Sequence, residues 1–236
     1  TEYTLMHQLM PGLSNYFVDY IAVMRSFKNL NSSIGLSWLR KSVQLSEGAD
    51  EATSTFSENE YRLSFGLYLV PGKIALGLNL KGFSINSTVG SGSGFGMDIG
   101  VQWRYLFKKP LFLGITAQNI AAGVKDEKID EIYKLGFAYK YHKVKGKFNG
   151  NFLIDISIKD DVNENEGMNF KFFTGTEYCV YDNLMIRIGI NSGIQLNGGL
   201  GYTFKLKSRK IIKVDYNYSY GGEIVNWHRL SVGMLM

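Results

Sequence analysis

Cysteine is almost absent from this sequence. Cys179 stands alone, which excludes an internal disulfide and any cysteine-based metal motif. Proline and histidine occur three times each, and His7, His142 and His228 fit no zinc spacing. No run of about 18 apolar residues occurs, so no helix of the chain is built to cross a bilayer. Nothing at the N-terminus resembles a signal peptide. The Ser/Gly stretch Ser87–Gly94 is followed by neither Lys-Ser/Thr nor a helix signal, so it is no phosphate loop. No Ser-His-Asp grouping can be defended from spacing. The sequence therefore offers no catalytic, cofactor-binding or metal-binding residue, and the chain reads as non-enzymatic, with no cofactor.

Glycine and aromatic residues are plentiful instead. There are 27 glycines, aromatics make up 14% of the chain, and the mean hydropathy is −0.08. Such values suit a protein of many strands. They suit equally an outer-membrane barrel, whose spans are too polar on average to register as hydrophobic segments. Phe95–Phe107 shows the governing pattern. Phe95, Met97, Ile99, Val101, Trp103, Tyr105 and Phe107 alternate with Gly96, Asp98, Gly100, Gln102 and Arg104, until Leu106 breaks the rule. Successive side chains of a strand point to opposite faces, so one face here is oily and the other polar.

The alternation recurs along the chain. Candidate strands cover Glu2–Gln8, Tyr16–Phe27, Ser33–Leu45, Tyr61–Val70, Lys73–Asn86, Phe95–Phe107, Leu111–Asn119, Glu131–Tyr141, Phe148–Lys159, Met168–Val180, Leu184–Ile190, Ile194–Leu206, Ile211–Tyr220 and Asn226–Met236. Turn signals such as Pro71-Gly72 and Asp182-Asn183 separate them. Ser46–Glu60, Ser87–Gly94, Ile120–Asp130 and Asp160–Gly167 read as loops. About fourteen long antiparallel strands in up-and-down order, with no convincing helix, imply one all-β domain over residues 1–236 that closes into a barrel.

Three features favour a transmembrane barrel over a soluble β-sandwich, whose oily faces would pack a core. Connections alternate between short and long, as on the two rims of an outer-membrane barrel. Charge follows the same alternation. The long connections carry Glu47, Asp50, Glu51, Glu58, Glu60, Asp160, Asp161, Glu164 and Glu166. The short turns carry Lys108, Lys109, Lys143, Lys145, Lys147, Lys205, Lys207, Arg209 and Lys210. A basic rim suits anionic lipid head groups. Chance clustering on a solvated loop surface is the plainer account of these charges. Third, the oily faces end in aromatics: Trp38, Trp103, Tyr105, Tyr139, Tyr141, Tyr202, Tyr218 and Tyr220. Such rings favour the interface belts of a bilayer.

The polar face would line a lumen through Asp19, Arg25, Arg62, Lys81, Asp98, Arg104, Lys134, Lys140, Asp155, Lys171, Glu177, Arg187, Lys213, Asp215 and Arg229. Both signs occur. They form either a network of paired charges that stiffens the wall or a path for an ion or solute. Glycines recur on this face, and either a plug or plain curvature of the wall would use the room they leave. His7 and His228 fall near the same end of the first and last strands. A metal or proton site is the sharp reading of that pair, and a bland interfacial pair the plain one. Basic turns beside tyrosines hint at nucleic acid, but the opposing acids and the lipid-type face argue against such a partner.

Several segments carry a family resemblance. Gly94-Phe-Gly-Met-Asp-Ile-Gly-Val-Gln-Trp-Arg-Tyr105 and Leu113-Gly-Ile-Thr-Ala-Gln-Asn-Ile120 are two of them. Asp215-Tyr-Asn-Tyr-Ser-Tyr220, His228-Arg-Leu-Ser231 and the opening Tyr3–Val23 are the others. The chain resembles the FadL-like outer-membrane transport proteins and, within them, the PorV-like branch associated with type IX protein secretion. The resemblance implies a fourteen-stranded barrel in the bacterial outer membrane. It also implies a Gly/Ala-rich N-terminal plug ahead of the first strand, which the residues from Thr1 do not contain. Met236 is not the aromatic on which such proteins usually end, although Gly233, Leu235 and Met236 keep part of that pattern.

The expected function is that of a membrane-embedded component of a protein export assembly. Outer-membrane lipid surrounds it, and a large translocon or cargo domain docks on Glu47, Asp50, Glu51, Glu58, Asp160, Asp161, Glu164 and Glu166. The alternatives are a FadL-type channel for hydrophobic small molecules and a structural anchor for a surface or periplasmic complex.

Overall fold

Alternating polarity over ten or so residues suits a strand with two unlike faces, and the aromatic and β-branched content favours the same conformation. The computed structural model describes residues 2–9, 16–45, 54–88, 90–125, 127–142, 149–159, 169–181, 183–192, 195–206, 210–220 and 226–236. Its strands are β1 (Glu2–Leu9), β2 (Phe17–Phe27), β3 (Ser32–Leu45), β4 (Ser54–Val70), β5 (Ile74–Ser87), β6 (Gly90–Arg104), β7 (Leu111–Val124) and β8 (Glu127–Lys128). They continue as β9 (Ile132–His142), β10 (Asn149–Lys159), β11 (Asn169–Tyr181), β12 (Leu184–Asn191), β13 (Leu196–Lys205), β14 (Ile211–Tyr220) and β15 (Trp227–Leu235). β8 is a two-residue strand folded back on β7. Without it the wall has fourteen strands.

Every neighbouring pair is antiparallel, and the order around the wall is the order along the chain. β1 pairs with β15, and β6 pairs with β7, so the sheet closes and has no free edge. Closure pairs each strand of the wall with a neighbour on both sides, which is the condition for strands to stand in hydrocarbon. Most strands of the wall reach the length of about 9–11 residues that a tilted strand needs to cross a bilayer: β4 has 17 residues, whereas β1 and β12 have 8 each.

The turns on one rim are tight. Asn31 (φ 49°) closes the turn after β2, and its carbonyl accepts from the Tyr68 N–H at 2.8 Å. Between β4 and β5, Gly72 takes φ +71°, a conformation that glycine adopts without strain, and the Lys73 N–H reaches the Val70 carbonyl at 2.9 Å.

The interior is not a packed core. Among the described residues the buried hydrophobics are Val18, Phe83, Ala122 and Val124, and no large side chain is fully buried. The oily faces point outward instead: Phe95 is 80% exposed and Ile188 62%. Trp103 is half-buried and Tyr139 exposed on the outer surface. A soluble sandwich is thereby overturned, because no described residue covers these faces.

The strand bounds differ from the sequence expectation in four places, one of them the end of β6 at Arg104, after which Tyr105 and Phe107 lie in a turn and do not continue the strand. β4 starts at Ser54, so Glu58 and Glu60 belong to a strand and not to a loop. β5 and β6 run almost to contact through Ser87 and Gly90, which removes most of the expected Ser/Gly loop. β7 continues to Val124, into the stretch expected to be a charged loop. Small and polar residues carry no strand signal of their own. Here they are drawn into the sheet by long partners.

Candidate functional site

Two charged clusters stand on the inner face of the wall. The first joins β4, β5 and β6. Lys81 is buried, and its Nζ lies 2.6 Å from Asp98 Oδ1 and 3.7 Å from Glu60 Oε1. Arg62 Nε donates to Glu60 Oε1, and Asn79 Nδ2 donates to Asp98 Oδ2 at 3.0 Å. Two acids meet two bases, so the cluster is neutral. In the second cluster Arg187 bridges two carboxylates. Its Nε lies 2.7 Å from Glu177 Oε2, and one terminal nitrogen lies 2.5 Å from Asp215 Oδ1. The fork needs Gly201 beside it, because a Cβ there would come within 3.0 Å of the guanidinium. The second cluster lies on β11, β12 and β14, about half-way round the strand order from the first.

The wall is irregular where β7 rises past the first cluster. β7 pairs with β9 only as far as Gln118↔Ile132. Its register with β6 slips on both sides of Met97. Asn119, Ala121 and Lys125 adopt left-handed backbone conformations, at φ 59°, 50° and 54°. Such strain in non-glycine residues persists only where the surroundings enforce it. Here side chains replace the lost ladder. The Asn119 N–H donates to Asp98 Oδ1 at 3.0 Å, its Oδ1 accepts from Lys81 at 2.8 Å, and its Nδ2 donates to the Asp130 carbonyl at 3.0 Å.

Above this clamp the β7–β8 hairpin leans over the inner face of β5 and β6. Ala122 and Val124 pack with Phe83, Ile85 and Ile129 in the one hydrophobic cluster among the described residues. Glycine makes the approach possible. A Cβ on Gly94 would collide with the Gly123 carbonyl, and one on Gly96 would lie 2.6 Å from Ala122 Cβ.

Of the residues expected in the lumen, Arg62, Lys81, Asp98, Glu177, Arg187 and Asp215 form the two clusters. Arg104, Lys134, Lys140, Lys171, Lys213 and Arg229 share the inner register. Arg104 lies over the Tyr68 ring and Lys140 over the Phe112 ring. Asp155 pairs in register with Gly136 and Phe173, and its side chain is outside the described set.

Asp19 and Arg25 are corrections, since both lie on the outer face. Both faces of β2 are oily, so alternation alone cannot choose between them. Register chooses: Ile21 lies across from Trp38 and Val23 across from Leu36 on the outside. Tyr20, Ala22 and Met24 share an inner recess with Thr4, Gly35 and Ser64. Asp19 and Arg25 then end the outer stripe at its two edges, with Arg25 over the Phe27 ring.

Of the expected belt aromatics, Trp38, Trp103, Tyr139, Tyr202, Tyr218 and Tyr220 occupy outer register positions. Trp38 donates to Asn59 Oδ1 at 3.1 Å. Tyr105 is instead in a turn, at φ 57°, next to the Phe112 ring. The side chain of Tyr141 is outside the described residues. So are Glu47, Asp50, Glu51, Asp160, Asp161, Glu164 and Glu166 of the docking loops. Glu58 is a correction: it sits in β4 and pairs with Lys41 at 3.0 Å across the strand boundary. The described residues hold no group of three or more His, Cys, Asp or Glu placed to bind a metal. His228 shares a 2.6 Å hydrogen bond with the Tyr216 hydroxyl.

The residues that sequence reasoning missed are Asn119, Asn79 and Glu60. The available signal was Gln118-Asn119, a polar pair that breaks the alternation just where β7 leaves its partner.

No family model matches the sequence, and no curated protein matches it. Solved structures do resemble the barrel. The toluene transporter TodX of Pseudomonas putida has a TM-score of 0.64 at 9% identity, over 99% of this chain and 87% of that one. The toluene transporter TbuX of Ralstonia pickettii has a TM-score of 0.62 at 9% identity, with the same coverage of 99% and 87%. The outer membrane protein Omp33 of Acinetobacter baumannii has 0.55 at 10% identity, over 100% of this chain and 98% of that one. At such identities the likeness is one of fold. The fold is that of bacterial outer-membrane barrels, and the uncovered oily exterior belongs in that membrane.

Proposed function

We propose that this barrel is a non-enzymatic channel that admits small apolar molecules through the outer membrane. The observation that carries the reading is the interrupted ladder beside Asn119. A break in a barrel wall normally exposes unpaired backbone groups to hydrocarbon, at several kcal/mol each. Here Asp98 and Asn119 bond those groups instead, so the wall tolerates a break between β7 and β9. An apolar solute that reached the hairpin cluster of Phe83, Ile85 and Val124 would have a short way from lumen to lipid. The fold shared with the toluene transporters supports the same reading.

The test is uptake of radiolabelled toluene by cells whose outer membrane carries the barrel, beside cells that lack it. The reading expects several-fold faster toluene entry with no change for glycerol. Equal toluene entry in both, or faster glycerol entry, contradicts it. The export reading keeps its basis in the motif resemblance. Its mark would be a large subunit that co-purifies from native membrane.

A further inference from the structure

A recess opens on the inner face at the rim of tight turns, at the other end of the wall from the β7–β8 hairpin. It has a volume of about 460 Å³. That lies within the ~300–1,000 Å³ typical of small-molecule sites. Ser26 lines it from β2, Lys28 and Asn31 from the turn after β2, Ser33 from β3, Tyr68 from β4 and Arg104 from the end of β6. Backbone hydrogen bonds stitch these pieces together. The Tyr68 N–H donates to the Asn31 carbonyl at 2.8 Å, and the Arg104 N–H donates to the Lys73 carbonyl at 2.7 Å.

Arg104 is held in place while most of its donors stay open. Its Nε donates to Gln102 Oε1 at 2.7 Å, and the guanidinium lies over the Tyr68 ring, 5.2 Å from the centroid. Its two terminal nitrogens have no partner among the described residues. The Lys28 ammonium, the Ser26 and Ser33 hydroxyls and the Asn31 carboxamide likewise make no hydrogen bond or ion pair to a described residue. Gly66 leaves room for the Ser33 hydroxyl, since a Cβ there would stand 2.5 Å from Ser33 Oγ. No described acid lines the recess. The connections at this rim after β2, β4 and β6, residues 28–31, 71–73 and 105–110, contain none in their sequence. Glu2 lies across from Met24 and lines the adjoining recess, so one negative charge stands beside two positive ones.

We propose that this recess binds a phosphate group, that of a soluble phosphomonoester or of a lipid head group. A phosphomonoester presents three acceptor oxygens and about 1.5–2 negative charges at pH 7. Lys28 and Arg104 together balance that charge, and donors that arrive from β2, β3 and β6 suit oxygens that point in different directions. The open terminal nitrogens of Arg104 can take two phosphate oxygens in paired, charge-assisted hydrogen bonds. Lys28 adds a compact second charge, and Ser26, Ser33 and Asn31 add neutral donors. A carboxylate has one charge and two oxygens, so it leaves part of this set unused. The site lies at the opposite end of the wall from the hairpin, and the proposal does not rest on the route for apolar solutes.

The test titrates the full chain, folded in a non-ionic detergent, with glycerol 3-phosphate, with glycerate and with dihexanoyl phosphatidate. Calorimetry reads binding, and heat-modifiable migration on gels shows that each variant is folded. Saturable binding of glycerol 3-phosphate about tenfold tighter than glycerate is expected. Lys28→Gln and Arg104→Gln should each weaken glycerol 3-phosphate by about tenfold. Lys73→Gln removes a lysine of the same rim that does not line the recess, and it should leave binding nearly unchanged. Phosphatidate that binds much more tightly than glycerol 3-phosphate upholds the site and assigns it to a lipid, whereas equal affinities uphold it and assign it to a soluble ester. No saturable binding by the folded barrel, equal binding of glycerate, or unchanged binding in folded Lys28→Gln and Arg104→Gln overturns the proposal. So does a loss in Lys73→Gln as large as theirs, which would reduce the site to the general charge of the rim.

Discussion

Lys81 on β5 reaches diagonally to Asp98 on β6, with their charged atoms 2.6 Å apart and only 5% and 7% of these side chains exposed. Removing one partner strands the other in the wall. Lys81→Met should therefore lower stability by about 3–5 kcal/mol. The double change Lys81→Met/Asp98→Leu should not recover that loss, because the Asn119 N–H and the Asn79 carboxamide then lose their acceptor as well. Guanidinium unfolding followed by tryptophan emission reads both.

Gly94 and Gly82 make a matched pair. A Cβ at Gly94 runs into the Gly123 carbonyl, whereas nothing lies within 4 Å of a Cβ at Gly82. Gly94→Ala should push the β7–β8 hairpin off β6 and expose it to protease in the closed barrel. Gly82→Ala should be within about 0.5 kcal/mol of the parent and cut no faster. Limited proteolysis with mass spectrometry of the 119–131 segment checks both.

Arg187 joins Glu177 and Asp215 by different nitrogens, a bridge that an ammonium cannot span in the same geometry. Arg187→Lys keeps the charge, yet it should lower the unfolding midpoint nearly as far as Arg187→Met does. These side chains are partly open to the lumen, so the loss should be modest, about 1 kcal/mol after solvent screening. Equal stability of Arg187→Lys and the parent would show that charge alone matters here.

Ile188 projects from β12 with more than half its surface uncovered. If hydrocarbon meets it, Ile188→Lys should cost about 2–4 kcal/mol in a bilayer. The same change in a water-facing position would be nearly neutral. Folding of the variant into vesicles of known thickness separates the two.

How far the sequence could be read depended on contrast between faces. β6 was legible because Gly, Asp, Gln and Arg fill one face and Met, Ile, Val and Trp the other. β2 was not, since Tyr20 and Met24 are as oily as Ile21 and Val23; only pairing with β3 turns Asp19 outward. The Ser/Gly run before Phe95 looks like a loop because its side chains are too small to show periodicity. It is in fact the floor under Ala122 and Val124. The clamp at Asn119 depends on Lys81 and Asp98, which are 38 and 21 residues away, and no local pattern announces it. The recess beside Arg104 was hidden for the same reason, as it is assembled from β2 to β6, whose alignment is set by their pairing.

The barrel needs lipid tails on its outer face and water within. Trp38 and Trp103 lie on the outside, and Trp227 lies inside. The most direct measurement is quenching by brominated acyl chains in three variants that each retain one tryptophan, reconstituted in vesicles. Strong quenching of Trp38 and Trp103, with Trp227 left bright, is the predicted result. A quenched Trp227 beside unquenched Trp38 and Trp103 would contradict it.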